Sequence, residues 1–580
     1  MKMFKKIYIV LLFLGLGIQA QEKDSIGSQV VTIVKAYSPT ISDAFKVKEL
    51  PQLEDEQTID KEKINYTIFS VPVASTFTPS KGKAADLDSE KRKKLYDNYA
   101  VLGFGNYPTI QAELYANKSF SKNSFVSGMF RHLSSQGGIN NLLLDDYYYN
   151  TNLDLAYAFK DKSKSIVVDL LLENDVYNWY GLPVDKLTLP QADLAAISAT
   201  QSYTTIGLGA KLDVNKGFFK SVGFNALHFT DKLSSAETQF KLSPEFLFPI
   251  RKENVKTKLY LDYLSGSFNS DFYNTFSPEY SSLIAGVAPS ILYNSGDLAV
   301  ELGAGLYYGM LSKNNNSSNK LFIYPNVNAS YKIVGEYLIT YAGLTGDYSQ
   351  NTYRDFANEN PYVSPTLDIT PTDTKYNVNA GLKGKLSATI GFDVFAGYAN
   401  QANKALFLSN TFSSVNTNKN GYAYANSFQV VYDDVKTTMF GAALNASVSN
   451  KVDLGLKATY ESFDSKNLEQ AWNLPNLNAE LNLSVKVAEK WTFGSRLFYI
   501  GERYDLLTQD NLFLPSQVEH ITTKLPAYLD VNANLNYKYN DKLTAFLKLN
   551  NMLNNDYMKW ANYKVQGLQV LIGANLKFDF

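Results

Sequence analysis

The sequence predicts an all-β protein, a transmembrane antiparallel β-barrel of about 22 strands with short turns at one end and long loops at the other. Apolar and polar residues alternate with a period of two through long stretches of the 580 residues. Aromatic residues make up 14%, with 41 Tyr and 35 Phe, and Lys+Arg (55) nearly balance Asp+Glu (56). A mean hydropathy of -0.21 is too low for a bundle of membrane helices, but it fits strands whose lipid and lumen faces average out.

The start of the chain is typical of a secretory signal peptide. Lys2, Lys5 and Lys6 precede an apolar run at residues 7–16, and the predicted segment ends at Ala20. That run is shorter than the roughly 20 residues that a spanning helix needs. The chain has no cysteine, which excludes a disulfide framework, a cysteine-ligated metal site and a lipoprotein anchor.

Residues 21–96 predict an extended periplasmic arm with at most one or two short strands, because prolines, an acidic run and a basic run interrupt them. Most of this arm is expected to be a solvated linker. Val30, Val31, Ile33 and Val34 are the candidate partner-docking residues of the arm, which would become ordered on binding.

Residues 97–580 are predicted to form the barrel, since amphipathic strands follow one another there without a helical domain. The predicted strands are residues 99–107, 108–120, 124–134, 148–160, 165–177, 204–214, 218–229, 237–249, 255–268, 280–293, 297–309, 321–333, 336–347, 375–389, 391–398, 428–448, 452–463, 477–487, 491–499, 529–540, 543–550 and 568–580.

The last strand shows the alternation most clearly. Its odd-numbered residues are mostly polar, whereas one apolar face runs through Leu568, Val570, Ile572, Ala574, Leu576, Phe578 and Phe580. We expect this strand to pair with the first one, because only closure leaves no unpaired edge in lipid. Phe578 and Phe580 are the predicted assembly signal.

The lengths of the connections predict the orientation. Short turns belong on the periplasmic side and long loops outside, so both termini are expected in the periplasm. The predicted long loops are residues 179–200, 312–320, 350–374, 402–427 and 501–525. We expect them to be solvated surface loops, with solute binding as the functional alternative.

Residues 525–530, 543–551 and 567–580, with Leu553, Asn555 and Tyr557, resemble the C-terminal barrel strands of TonB-dependent receptors, especially those of Bacteroidetes outer membranes. The resemblance implies a 22-stranded barrel and outer-membrane transport. Members of that family carry a folded plug domain that is longer than residues 21–96, so this chain is expected to lack a normal plug. The run at Val30 to Val34 is faintly similar to the segment through which those receptors engage an energy-transducing partner.

No enzyme motif is present, and we predict neither catalysis nor a cofactor. The three histidines, His132, His228 and His520, lie in unrelated strands or loops. The acidic residues predicted to face inward are Asp154, Asp169, Glu480 and Asp530. We expect them to make the lumen surface hydrophilic rather than to bind metal, with tuning of pore selectivity as the alternative. A net charge of -1 argues against a nucleic-acid partner.

Two functions remain open at this stage. The first is a plugless transporter or porin-like protein for solute passage or binding. The second is a structural or accessory subunit of a multiprotein outer-membrane complex, for assembly or secretion, with a blocked lumen. The expected partners are outer-membrane lipid, the barrel assembly machinery and other envelope proteins that contact the arm or the long loops.

Overall fold

The computed structural model describes residues 94–183, 194, 197–251, 253–412, 420–510 and 518–580. The predicted signal peptide and nearly all of the predicted arm lie outside these residues, as do Val30, Val31, Ile33 and Val34.

Twenty-two strands form one antiparallel sheet that closes on itself. Closure is made by β1 and β26, which pair from Asn98 opposite Phe578 to Gly105 opposite Leu571. The wall strands are β1 (Asn98–Gly105), β2 (Thr109–Ser119), β3 (Ser124–Ser135), β4 (Tyr148–Lys160), β5 (Lys164–Asn178), β6 (Thr200–Val214), β7 (Phe219–Asp231), β8 (Ala236–Ile250), β9 (Glu253–Ser267), β10 (Glu279–Ser295), β11 (Leu298–Lys313), β12 (Asn316–Val334), β13 (Leu338–Ser349), β14 (Thr372–Ser387), β15 (Ile390–Ser409), β16 (Phe428–Ser449), β17 (Val452–Ser465), β18 (Leu477–Ala488), β19 (Trp491–Ile500), β22 (Tyr528–Lys538), β23 (Leu543–Asn550) and β26 (Gln569–Phe578). The predicted fold class is confirmed, and each predicted strand corresponds to one wall strand.

Three smaller features lie in the connections. β20 (Arg503–Asp510) and β21 (Val518–Leu525) form a separate hairpin, and β24 (Met558–Trp560) and β25 (Tyr563–Lys564) form a short one. Helix α1 (Tyr353–Glu359) lies between β13 and β14. No helix of the described residues is both long and apolar enough to cross a membrane.

The predicted alternation places apolar side chains on the outer face of the wall. At the closing pair, Phe104 lies opposite Ile572, and the two side chains are 57% and 63% exposed. Gln569 and Leu571, on the other face of β26, are buried. A bilayer favours a wall that is apolar outside and more polar inside. The backbone N–H and C=O groups of a closed barrel are hydrogen-bonded between strands, so the outer side chains are the groups that must suit lipid.

At one end of the barrel, which we call the short-turn end, connections of two to four residues join successive strands. These turns follow β2, β4, β6, β8, β10, β12, β14, β16, β18 and β22. Exposed aromatic side chains lie close to them, including Phe120, Phe218, Tyr337, Tyr539 and Phe580. Such a girdle is typical of the level where a barrel wall meets the membrane interface.

At the opposite end, which we call the long-loop end, the structure corrects three predictions. The predicted loop at 312–320 is wrong, because β11 and β12 continue to a two-residue turn at Asn314 and Asn315, whose φ values of 47° and 69° suit a hairpin turn. The predicted loop at 402–427 begins later, since β15 continues to Ser409. The predicted loop at 501–525 is largely the β20–β21 hairpin.

Candidate functional site

The long loops meet in one buried cluster, which we call the cap core. Its members come from the connections after β5, β9, β13 and β23, from the β20–β21 hairpin and from the adjoining wall. They are Tyr180, Tyr203, Phe229, Leu264, Phe268, Tyr280, Tyr353, Phe356, Ala357, Val363, Leu367, Ile369, Phe407, Phe428, Val430, Leu507, Leu525, Trp560, Ala561 and Tyr563. Because these connections leave the wall at points spread over more than half of its circumference, they meet across the lumen and not along one side of the rim.

Three tyrosines from three different connections pack together: Tyr180 and Tyr563 belong to the cap core, and Tyr362 packs against it. The rings of Tyr362 and Tyr563 stack with centroids 3.6 Å apart and an interplanar angle of 19°. Tyr180 lies edge-on to both, at 5.8 Å from Tyr362 and 4.9 Å from Tyr563. Gly181 allows this approach, since a Cβ there would lie 2.5 Å from the Tyr563 ring. Edge-to-face and offset arrangements are favourable for aromatic pairs, so the packing holds three loops together.

Hydrogen bonds connect the same loops. The Tyr180 hydroxyl donates to the carbonyl of Lys564 at 2.8 Å, and the Tyr563 hydroxyl donates to the carbonyl of Asn426. The Asn426 amide donates to the carbonyl of Trp179 at 2.7 Å. A buried polar group left without a partner costs about 1–3 kcal/mol, so these bonds restrict each loop to one arrangement.

Helix α1 is anchored to the wall through a buried carboxylate. Glu237 of β8 accepts hydrogen bonds from the backbone N–H groups of Tyr353 at 2.8 Å and Arg354 at 3.2 Å. It also accepts one from the Tyr280 hydroxyl at 2.6 Å. The first N–H groups of a helix have no partner within it and carry partial positive charge, so the carboxylate stabilises the helix where it begins.

The β20–β21 hairpin is fastened to the top of β15 by Asp505. This fully buried carboxylate accepts from the backbone N–H of Ser409 at 3.0 Å and from its hydroxyl at 2.8 Å. Burial raises the pKa of Asp505, while these hydrogen bonds lower it. The Arg503 guanidinium donates to the carbonyls of Met558 and Lys559 at 3.0 and 2.5 Å, which ties the hairpin to the connection after β23.

A cavity of about 260 Å³ lies between α1, the end of β15 and the connections after β17 and β23. Its aromatic lining is Phe356, Phe407, Trp472 and Trp560, and its polar lining includes Glu359, Gln401, Lys404 and Asn473. Three buried polar atoms of lining residues have no hydrogen-bond partner among the described residues: Trp472 Nε1, Trp560 Nε1 and Asn473 Oδ1. Buried polar groups are normally paired, so this set marks the cavity as a candidate binding site.

The cavity also carries both signs of charge. The Lys404 ammonium donates to the side-chain oxygen of Gln401 at 2.8 Å, which leaves it further donors. Glu359 is exposed, although desolvation by the surrounding protein raises its pKa, and the nearby Lys559 and Lys404 oppose that shift. Burial lowers the pKa of Lys559 to about 8, and the Glu359 carboxylate opposes the change.

The predicted assembly-signal residues lie at the short-turn end. Phe578 is the last residue of β26 and pairs with Asn98. Phe580 is 76% exposed, and its ring lies 5.3 Å from that of Phe578 in an edge-on arrangement. Their role in assembly stays a prediction.

Of the four acids predicted to wet the lumen, three are accessible. Asp154 pairs with Arg131 at 2.9 Å, Glu480 pairs with Arg496 at 3.0 Å, and Asp169 is exposed. The prediction is wrong for Asp530, which is fully buried and has no partner for either carboxylate oxygen among the described residues. No group of three metal-ligating side chains occurs in the described part of the chain.

The histidines do not form a common site. His132 Nδ1 lies 2.8 Å from the Thr151 hydroxyl, and His228 Nδ1 lies 2.8 Å from the Thr238 hydroxyl. His520 lies in the separate hairpin strand β21. Both wall histidines therefore bond across to the adjacent strand.

The cap core and its cavity were not predicted from the sequence. A signal was present, because short aromatic groups recur inside the predicted loops, as at Trp179-Tyr180, Tyr422 to Tyr424 and Tyr557 to Tyr563. Solvated loops have no reason to carry so many large apolar rings.

A closed antiparallel barrel of 22 strands with an apolar outer face is the fold of a bacterial outer-membrane β-barrel. No protein-family model matches the chain, and no curated protein matches it. Solved structures do match at the level of fold. The ferripyoverdine receptor of the Pseudomonas aeruginosa outer membrane superimposes with a TM-score of 0.59 and 13% identity, over 84% of this chain and 72% of that one.

Two further structures give the same result. The ferric-catecholate import receptor Fiu of E. coli has a TM-score of 0.60 and 10% identity, over 84% of this chain and 82% of that one. The FrpB iron transporter of Neisseria meningitidis has a TM-score of 0.61 and 10% identity, over 84% and 81%. The predicted resemblance to the barrels of TonB-dependent receptors is thus confirmed as a likeness of fold. The matched proteins are outer-membrane transport receptors and not enzymes.

Proposed function

We propose that the protein is a receptor-like outer-membrane barrel that binds a solute at its long-loop end and passes it through a gate formed by the cap core. The observation that carries this proposal is the meeting of loops from widely separated strands in one aromatic cluster across the lumen. A permanently open porin would need that region clear. Gated passage therefore fits the packing better than free diffusion.

In this proposal the long loops face the outside and both termini lie in the periplasm, as the turn lengths predict. The predicted signal peptide directs export, and the barrel assembly machinery inserts the chain. In this proposal the predicted arm, residues 21–96, docks on an envelope partner.

Conductance in planar lipid bilayers tests the gate. We expect the purified full-length protein to show little conductance, and Tyr563→Ala to show large, stable openings because the central ring of the cap core is removed. Deleting residues 21–90 in each background separates the contribution of the arm from that of the cap core. Equal conductance of all four proteins would contradict a gate.

The second candidate function is a structural or accessory subunit of an outer-membrane complex. The same cap core favours it, since a covered mouth is also what a blocked lumen requires. Stoichiometric co-purification of other envelope proteins, together with no conductance from Tyr563→Ala, would support this function and exclude solute passage.

A further inference from the structure

We infer that the cavity beside α1 binds a small zwitterion with an apolar or aromatic group, namely an amino acid or a dipeptide. The inference rests on the proposed function, because it names the class of solute that the long-loop end receives. It is carried by the chemistry of the groups that line the cavity.

The donors and acceptors of the cavity divide into two sets. Lys404 supplies an ammonium, and Trp472 Nε1 and Trp560 Nε1 are unpaired buried donors. Asn473 Oδ1 is an unpaired buried acceptor, and Glu359 supplies a carboxylate. A ligand carboxylate pairs with the Lys404 ammonium, and a ligand ammonium pairs with the Glu359 carboxylate.

The remaining lining is apolar. Phe356, Phe407 and the two tryptophan rings form faces on which a side chain can pack, and an ammonium near an aromatic face gains further attraction. The three unpaired groups belong to side chains that are only 4 to 6% exposed, so burying them without partners costs stability.

Size and charge exclude other ligands. A volume of about 260 Å³ lies below the roughly 300–1,000 Å³ of drug-sized ligand pockets, so a large chelate does not fit. A neutral sugar carries no charge with which Lys404 or Glu359 could pair. A simple carboxylate could pair with Lys404 but carries no ammonium for Glu359.

Tryptophan fluorescence provides a direct assay, since two of the four tryptophans of the chain line the cavity. The probe is the dipeptide Phe-Ala, titrated into the full-length protein in detergent. We expect saturable quenching by Phe-Ala, and little by the same dipeptide acetylated at its amino end and amidated at its carboxyl end. Quenching by maltose alone, or equal binding of the charged and capped dipeptides, would overturn the inference.

Two variants assign the ends of the ligand. Glu359→Gln is expected to raise the dissociation constant of Phe-Ala about tenfold or more, but to leave that of the N-acetylated dipeptide unchanged. Lys404→Met is expected to weaken both free-carboxylate ligands, and Lys404→Arg to restore part of the affinity. The matched control is Lys524→Met, because Lys524 is half exposed, pairs with Glu502 at 2.6 Å and does not line the cavity.

Circular dichroism and the heat-dependent gel shift of a barrel show that each variant is folded. If all variants bind Phe-Ala as the unmodified protein does, the assigned site is wrong. The two tests distinguish failure of this inference from failure of the proposed function. If the gate opens in Tyr563→Ala but Phe-Ala does not bind, only the assigned ligand class is wrong. If Phe-Ala binds but no protein conducts, the protein binds the ligand without transporting it.

Discussion

The two ends of the barrel use the same wall strands in different ways. At the short-turn end, turns of two to four residues join neighbouring strands, and large aromatic side chains such as Phe120 and Phe218 stay exposed. At the long-loop end, aromatic side chains such as Tyr353, Tyr422 and Tyr563 are fully buried. The first arrangement needs only local pairing and lipid, whereas the second needs contacts between residues hundreds of positions apart. We therefore expect assembly to depend on the short-turn end, and we propose that solute is handled at the long-loop end.

The largest expected effect concerns the short-turn end. Phe580→Asp should sharply lower the yield of membrane-inserted barrel if the terminal aromatic residue is an assembly signal. Phe120→Asp is the matched control, because Phe120 is also exposed in the aromatic girdle but is not terminal. A charge near the interface costs roughly 0–1 kcal/mol by lipid contact alone, which both variants share. Equal yields would show that Phe580 only touches lipid.

The next effect separates the two ends directly. Tyr563→Ala should destabilise the cap core by about 3–5 kcal/mol, because a fully buried ring is lost and its contacts with Tyr180 and Tyr362 go with it. Limited proteolysis should then cut the loops while the wall keeps its heat-dependent gel shift. Tyr539→Ala, at an exposed girdle position, should leave the loops resistant. Joint unfolding of wall and loops would show that the two regions are not separable.

A smaller effect is expected when only the hydroxyl is removed. Tyr563→Phe keeps the ring stack but leaves the buried carbonyl of Asn426 without this donor, for an expected cost of about 1–3 kcal/mol. Quantitative proteolysis should place its loops between those of the unmodified protein and of Tyr563→Ala. A loss as large as that of Tyr563→Ala would mean that the hydrogen bond, and not the packing, holds the loops.

The smallest effect is a pH dependence of the cap core. Burial lowers the pKa of Lys559 to about 8 from an ordinary value of 10.5, so the unfolded loop binds more protons than the folded one between these values. Loop stability should therefore rise as the pH increases from 8 to about 9.5, before tyrosine ionisation in the unfolded loop begins to oppose it. Lys559→Met should remove the rise, as measured by proteolysis rates across this range. A fall in loop stability over the same interval would contradict the burial of this ammonium.

The contrast between the ends also explains what the sequence could predict. Alternation with a period of two is a local signal, so residues such as Leu568 to Phe580 predict a wall strand, its lipid face and its closure against β1. The cap core depends on distant partners, such as Tyr180 with Lys564 and Glu237 with Tyr353, which no local pattern encodes. The prediction for Asp530 was wrong for the same reason. Its position on the inner face was predicted correctly, but the packing that buries its side chain depends on tertiary contacts.

The cavity could not be predicted from the sequence for a second reason. Its lining comes from α1, β15 and the connections after β17 and β23, and none of these segments carries a recognisable binding motif. Only the unpaired atoms of Trp472, Asn473 and Trp560 distinguish it, and pairing is a property of the folded chain.

Hydrogen exchange of the full-length protein in a bilayer mimic tests most directly whether the long loops form a folded cap. The amides of residues 353–364 are the best reporters, because Tyr353 donates to Glu237, Asn360 to Phe356 and Ser364 to Phe428 within the buried cluster. We expect these amides to exchange as slowly as those of the wall strands and far more slowly than those of the short turns. Exchange of residues 353–364 at the rate of the short turns would contradict a folded cap and the gate built on it.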